Sequence, residues 1–429
     1  MGLRRSGLGL ALALAACGTE TPLEIGSDLS PIEVESFEVV LPAESFIAAY
    51  HNFSGYVSPR EVNYGIVATD FDDAVDVRTI ARFVPPPSQV SYFADGASRT
   101  DTMPTFPSAR LVVVADTLLS GEEDVQLSLY RVAEPWDPAT VSWTMRIDSV
   151  ANSQPWSVPG GALGELISQG SYNPQIQDSL VMAVDSQTIA TWADTTDNSR
   201  GVILLAESGG ARVRINQLVL HLDARPSQRP DTLIEVSSTA LVATFMVNEQ
   251  EPQSSTLQVG GVPAWRSFVE FAPGLDTLTV CGGEPERCQP LSDLRINFAS
   301  LVLSPTATRE GMAPEDTLEV QARGLSVSSV VPLERSPLRE RLTPATRQTI
   351  ALAPERFQQV AGAAPVEIPI TTFVSNLTRA VEDPTDQRFV ALIAVPEGMV
   401  FGHAAFHAEG EHAPRLRLIV SSMKERDAP

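Results

Sequence analysis

The sequence predicts an all-β fold: two jelly-roll-like antiparallel β-sandwiches in tandem. Three observations lead there. The 429 residues include 33 Pro and 27 Gly but few candidate helices, which implies many short strands joined by turns. Apolar residues alternate with polar ones, as Val125, Leu127 and Leu129 do with Gln126 and Ser128, the period of a half-buried strand. An ordered set of strand-like segments from the first half of the chain recurs in the second.

The chain opens with Arg4 and Arg5, then an apolar run over residues 8–16 that is too short to span a bilayer. The run ends Leu14-Ala15-Ala16-Cys17-Gly18. This resembles a bacterial lipobox. The resemblance implies a signal peptide over residues 1–16, cleavage before Cys17, and acylation of the Cys17 thiol. Gly rather than Asp at position 18 implies export to the outer membrane, with the lipid as the membrane partner. Residues 17–35 read as a polar tether. Within it, Ile25-Gly26-Ser27-Asp28-Leu29 is similar to a short motif of surface lipoproteins.

The remaining length suits two domains of about 180 to 200 residues. The expected division is 36–224 and 225–420, with a linker over 223–231 that holds Pro226 and Pro230, and a disordered tail over 421–429. The repeat sets this division. Ala81-Arg82-Phe83, the 109–113 strand and the 123–127 strand precede the apolar run 201–206 and the alternating strand 218–222. Arg266-Ser267-Phe268, 299–303, 315–320, 389–394 and 416–420 follow the same order. The runs 201–206 and 389–394 are apolar throughout, as expected of strands covered on both faces. Val213 and Ile215 are odd positions while Leu218, Leu220 and Leu222 are even, which predicts a bulge near Asn216-Gln217. Two segments are candidate helices, 164–168 and 371–381. In the second, Phe373, Leu377 and Val381 fall at i, i+4 and i+8, and 188–194 is its counterpart in the first half.

Residues 128–143, SLYRVAEPWDPATVSW, combine a strand, a Pro-bounded turn and a Trp-bearing strand. Tyr130, Arg131, Val132, Trp136, Asp137, Thr140, Val141 and Trp143, with Gly160-Gly161 beyond, resemble the signature of the DNRLRE-type β-sandwich family found on microbial surface proteins. Pro138 stands where that family has an acidic residue, and the second half lacks both tryptophans. Some relatives of that type bind polysaccharide, so the resemblance implies a glycan ligand.

The net charge is −23, from 53 acidic and 30 basic residues, and such a surface repels phosphate backbones; nucleic acid is excluded as a partner. Cys281 and Cys288 bracket a turn-forming GGEPER, and in an exported protein this reads as a disulfide. Asp70, Asp72, Asp73 and Asp76 could ligate calcium, the one cofactor the sequence admits. The run lacks the Gly and distal Glu of an EF-hand loop and reads first as a solvated acidic loop. His403, His407 and His412 are the local histidine cluster and read as a solvated hairpin. On an extended strand His403 and His407 would be about 13 Å apart, too far to share a metal.

Nucleophile elbow, phosphate loop, paired zinc motif and dinucleotide fingerprint are all absent from the sequence. No catalytic residue is assigned. Four tryptophans, Trp136, Trp143, Trp156 and Trp192, lie in the first half. Aromatic faces can stack on sugar rings. Trp136 and Trp156, beside Pro and Gly, together with Tyr172 are the candidate ligand-binding rings, whereas Trp143 shares a strand face with Val141 and reads as core. The expected function is non-catalytic: a cell-envelope lipoprotein that binds a glycan or surface polymer or an envelope protein, or serves structurally. The alternative is an exported polysaccharide hydrolase or lyase on a jelly-roll frame.

Overall fold

A computed structural model describes residues 32–57, 64–117, 120–121, 124–149, 152–282, 287–309, 311–339, 348–358, 363–379 and 388–425. Cys17 and the remainder of the leader and tether up to residue 31 lie outside the described residues. The strands, in chain order, begin with β1 (Ile32–Pro42), β2 (Ile47–Phe53), β3 (Gly65–Phe71), β4 (Val75–Phe83), β5 (Val90–Ala94), β6 (Ala97–Asp101), β7 (Thr105–Ala115), β8 (Val125–Val132) and β9 (Met145–Ser149). They continue with β10 (Asn152–Pro155), β11 (Leu163–Tyr172), β12 (Leu180–Asp185), β13 (Val202–Ala206), β14 (Ala211–Arg225), β15 (Ile234–Val247), β16 (Thr256–Val262), β17 (Arg266–Phe271) and β18 (Thr279–Gly282). Last come β19 (Arg287–Pro290), β20 (Arg295–Leu303), β21 (Pro305–Thr306), β22 (Leu318–Gly324), β23 (Ile350–Leu352), β24 (Val366–Pro369), β25 (Phe389–Ala394), β26 (Gly402–His407) and β27 (Arg415–Glu425). The α-helices among the described residues are α1 (Ser186–Ala193), α2 (Glu355–Gln358) and α3 (Thr371–Thr378). Among the described residues no helix is long and apolar enough to cross a membrane. The architecture is all-β and antiparallel, two β-sandwiches as expected.

The division of the chain between the sandwiches differs from the expected one. The first is a nine-stranded sheet in the order β11-β8-β13-β4-β15-β14-β7-β12, with β3 paired to both β14 and β4. The sheet folds over so that its two arms enclose one core, which includes Leu111, Leu127, Leu129, Leu204 and Leu220. The second sandwich packs β2-β17-β25-β22-β23 against β1-β27-β20-β24, with β16-β26-β21 alongside. Strands β1 and β2 therefore belong to the C-terminal sandwich: β1 pairs with β27 and β2 with β17. Strand β15 belongs to the N-terminal one, between β4 and β14. Residues 64–247 form one sandwich inserted between β2 and β16 of the other, and the boundary expected at 224/225 falls in the β14–β15 hairpin.

The repeat explains the nesting. Strands β4, β7, β8, β13 and β14 hold the sheet positions that β17, β20, β22, β25 and β27 hold in the second sandwich. The long β15 pairs with β14 through its first half and with β4 through its second. In the outer sandwich that double position is filled by β1 and β2, broken at Pro42. The two excursions cross where Ser54 Oγ donates to the Gln250 carbonyl at 3.3 Å and accepts from the Gln250 amide at 2.6 Å. A third apolar cluster fuses the sandwiches, with Ile66, Val77, Phe245 and Val247 packed on Val262, Ala264, Met312 and Phe401. The expected linker is itself clamped to the β5–β6 hairpin, for Arg229 binds both oxygens of Asp95 (3.0 and 2.8 Å), and Asp101 accepts from the Ser227 amide and hydroxyl.

Local expectations fared unevenly. The register of β14 shifts between Ile215 and Gln217, the bulge its parity required. Helix α3 forms over Thr371–Thr378, and Phe373 and Leu377 lean on the core; Val381 lies outside the described residues. The Thr371 hydroxyl at the helix start bonds the Ala299 backbone. Helix α1 is capped by Asp185, which accepts from the Thr188 amide at 2.7 Å. Residues 164–168 are strand, not helix, because β11 pairs with β8. Strand β1 begins within the expected tether, and β27 runs through residues 421–425 of the expected tail; the two pair along their full length. Cys281 and Cys288 form the disulfide of the β18–β19 hairpin.

His403 corrects the solvated-hairpin reading. It lies on β26, 3% exposed, with its Nε2 3.0 Å from the Gln258 side-chain amide and its ring beside Trp265. Burial pushes its pKa down to about 4. In the unfolded chain it titrates near 6.5, so above that pH both states are neutral and its protonation has no effect on stability. As pH falls from about 6.5 to 4 the unfolded state alone takes the proton, and stability drops by up to about 3 kcal/mol. Denaturant melts at stepped pH should show this slope in the wild type and a shallower one in His403→Gln.

Candidate functional site

Strand β13 is buried on both faces, and so is the second half of β4. Their inner face meets the sandwich core. Their outer face, with Ile80 and Ile203, needs another cover, and residues 133–162 supply it. Trp136, Val141, Trp156 and Ala162 of that loop pack on Ile80, Ile203 and Met246. The second sandwich repeats the device: Leu325, Leu333 and Leu338 cover Phe268, Ala391 and Ile393.

This covering role decides where the expected ligand-binding rings lie. Trp136 is 2% exposed, Trp156 5% and Tyr172 1%, so none of the three is a surface ring. The Trp136 indole donates to the Arg200 carbonyl at 3.0 Å, and the Arg82 guanidinium lies 4.5 Å over its ring. Trp156 donates to the Ser142 carbonyl at 3.0 Å. Tyr172 faces the sandwich core and accepts from the Ala115 amide at 3.1 Å. Trp143, expected in the core, is the half-buried one. Gly160 makes room for it: with φ +84° and no side chain it lets the indole approach where a Cβ would come within 2.8 Å. The Arg78 guanidinium is 5.2 Å over the Trp143 ring and donates to the Gly160 carbonyl.

Trp143 lines a cleft of about 730 Å³ between the sandwiches. That volume is within the range of small-ligand sites. One wall is residues 139–145 with Asp148, from the first covering loop; the opposite wall is Glu334 and Arg335, from the second. The floor is the crossing of the two excursions, residues 52–57 and 249–252. Arg335 reaches across to Asp148 at 3.2 Å. The Tyr56 hydroxyl donates to the Glu334 carbonyl at 2.5 Å, and Arg266 lies 4.0 Å over the Tyr56 ring while gripping Glu397 with two hydrogen bonds. Burial raises the Tyr56 pKa; Arg266 opposes the shift, and the carboxylates of Glu397, Glu334 and Glu249 add to it. The phenol is a neutral donor at any physiological pH. The cleft lining thus carries the Trp143 ring, Thr140, Ser142 and Thr144, and the carboxylates of Asp148, Glu249, Glu251 and Glu334. The Thr140 hydroxyl already bonds Asp137 and the Asp148 amide, and the Ser142 hydroxyl accepts from the Met145 amide.

The acidic run is not gathered around one point. Asp70, Asp72 and Asp73 have positive φ in the β3–β4 turn, Asp72 pairs with Arg309 at 3.1 Å, and Asp76 accepts from the Asp70 amide. Among the described residues no group of three His, Cys, Asp or Glu side chains is placed to hold a metal ion. His407 and His412 are neighbours, with ring centroids 5.3 Å apart, while His403 is inside.

No family model matches the chain, and no curated protein matches it. Among solved structures it aligns with the cryo-EM structure of Broad Bean Stain Virus at 10% identity, over 87% of this chain and 91% of that one, with a TM-score of 0.15. It aligns with the Faustovirus major capsid protein at 10% identity, over 94% and 91%, with a TM-score of 0.08. Likenesses this faint carry no argument about function.

Proposed function

We propose that the chain is a non-catalytic, lipid-anchored protein of the bacterial outer membrane that binds a glycan or surface polymer in the cleft between its sandwiches. The observation that carries this reading is the half-buried Trp143 lining a cleft of about 730 Å³ among hydroxyls and carboxylates. Sugar rings stack their C–H faces on indoles and satisfy their hydroxyls on such polar neighbours. The lipobox-like residues 14–18 and the likeness of residues 130–143 to DNRLRE-type domains support the address and the ligand class. One observation favours the hydrolase or lyase alternative: the cleft holds several carboxyl groups, and glycoside hydrolysis uses a pair of them. A polysaccharide pull-down beside a reducing-sugar release assay separates the two. Retention without sugar release is expected; release abolished by a single cleft Asp or Glu substitution would establish the enzyme.

The anchor has its own test. Labelled palmitate should enter the wild-type protein in a bacterial host and not Cys17→Ser. An unlabelled, soluble wild-type product would refute the lipid anchor.

A further inference from the structure

The chemistry of the cleft narrows the ligand, and the inference rests on the carbohydrate reading above. Its lining carries four carboxylates, Asp148, Glu249, Glu251 and Glu334, against the single guanidinium of Arg335. That guanidinium is already paired with Asp148. Glu249, Glu251 and Glu334 are solvent-exposed around the opening. The whole chain adds a field of the same sign, with net charge −23. A uronic-acid or sulfated polymer entering this cleft would meet a lining in which carboxylates outnumber guanidiniums, and like-charge juxtaposition opposes binding. A protonated amine meets the opposite situation. The exposed carboxylates of the lining can pair with its ammonium group. Arg266 lies 4.0 Å over the Tyr56 ring and Arg78 5.2 Å over the Trp143 ring, so the carboxylates and not the ring faces are the partners for an ammonium group.

We propose that the cleft selects a glycan bearing free amino groups, a polymer of unacetylated or partly acetylated amino sugars, with the indole of Trp143 under a sugar ring and the ammonium groups held by Glu249, Glu251 and Glu334. The electrostatic part of such binding is with exposed carboxylates and should weaken steeply with salt.

The test is affinity electrophoresis and calorimetry of the full chain with three probes of matched length: glucosamine oligomers, N-acetylglucosamine oligomers and oligogalacturonate. Glucosamine oligomers should bind best, and Glu249→Gln with Glu251→Gln should weaken them about tenfold, as expected for two exposed charge contacts. The melting temperature should not change. A control pair, Asp231→Asn with Glu355→Gln, removes two exposed carboxylates absent from the cleft lining. It should leave affinity unchanged. Equal weakening by the control pair would mean that the acidic protein attracts any polycation, and would overturn the proposal. Equal binding of glucosamine and N-acetylglucosamine oligomers, or preference for oligogalacturonate, would overturn the charge selection while leaving a carbohydrate site. Failure of all three probes to bind overturns the proposal too. In that case retention of a neutral polysaccharide without amino groups would preserve the parent reading, and its absence would not.

Discussion

Expressed as two separate pieces, residues 36–224 and 225–420 should each fail to fold. The first piece lacks β15, an interior strand whose two neighbours are β4 and β14. Without it the β4 and β14 edges stand open and Phe245 and Met246, both fully buried, are gone. The second piece lacks β1 and β2, which leaves Leu416, Leu418 and Val420 of β27 and Phe268 and Val269 of β17 without their neighbours. Each loss removes a strand's ladder and several buried side chains, and a single large-to-small core change alone costs about 2–5 kcal/mol. Summed over those side chains and the lost ladders, the loss is as large as the net stability of a typical domain, about 5–15 kcal/mol. Cutting by structure should reverse the outcome. An outer sandwich made by joining residues 32–54 to 250–425 through a short linker has its ends already in contact at Ser54 and Gln250. Circular dichroism and amide dispersion would show folding of that product. By the same argument, protease nicking of residues 226–231 should leave the two fragments associated on a sizing column, since the nick only opens the β14–β15 hairpin.

Trp136→Ala should be the most destabilising of the tryptophan substitutions in the covering loop. Its ring fills the outer face of the β8-β13-β4-β15 sheet against Ile80 and Ile203, and its removal from a buried site costs about 3–5 kcal/mol. The loss extends beyond the cavity. The Arg82 side chain is 8% exposed and lies over this ring, donating to the carbonyls of Trp136, Asn198 and Arg200. Without the indole a buried guanidinium loses its aromatic cover, and the Arg200 carbonyl loses one of its donors. For a domain of this size each kcal/mol shifts the melting point by roughly 2–4 °C, so a fall of about 10 °C is expected. A shift under about 2 °C would mean that the ring is not part of the core.

Much of the fold was legible in the chain. Strand faces follow from period two, which placed the bulge in β14 from the parity of Ile215 and Leu218. The apolar runs of β13 and β25 are buried on both faces as read. Nesting was not legible, because alternation tells which residues of β1 and β15 face a core and not which core they face. The same limit explains Trp136 and Trp156. Pro and Gly nearby suggested a loop tip in water, yet a strand such as Val202-Ile203-Leu204 demands cover on its outer side. Asking what covers Ile203 would have pointed to those rings. The cleft residues carried no joint signal, since Tyr56, Trp143, Glu249 and Glu334 come from four distant stretches that meet only through the strand crossing.

The most direct test of the account is affinity electrophoresis of Trp143→Ala against the polysaccharide that retains the wild type, with thermal melting of the same samples. The indole packs on the edge of the covering cluster and is less buried than Trp136, so Trp143→Ala should lose most retention while its melting point falls less than that of Trp136→Ala. Full retention of Trp143→Ala on every polymer the wild type binds would contradict the assignment of the cleft as the binding site.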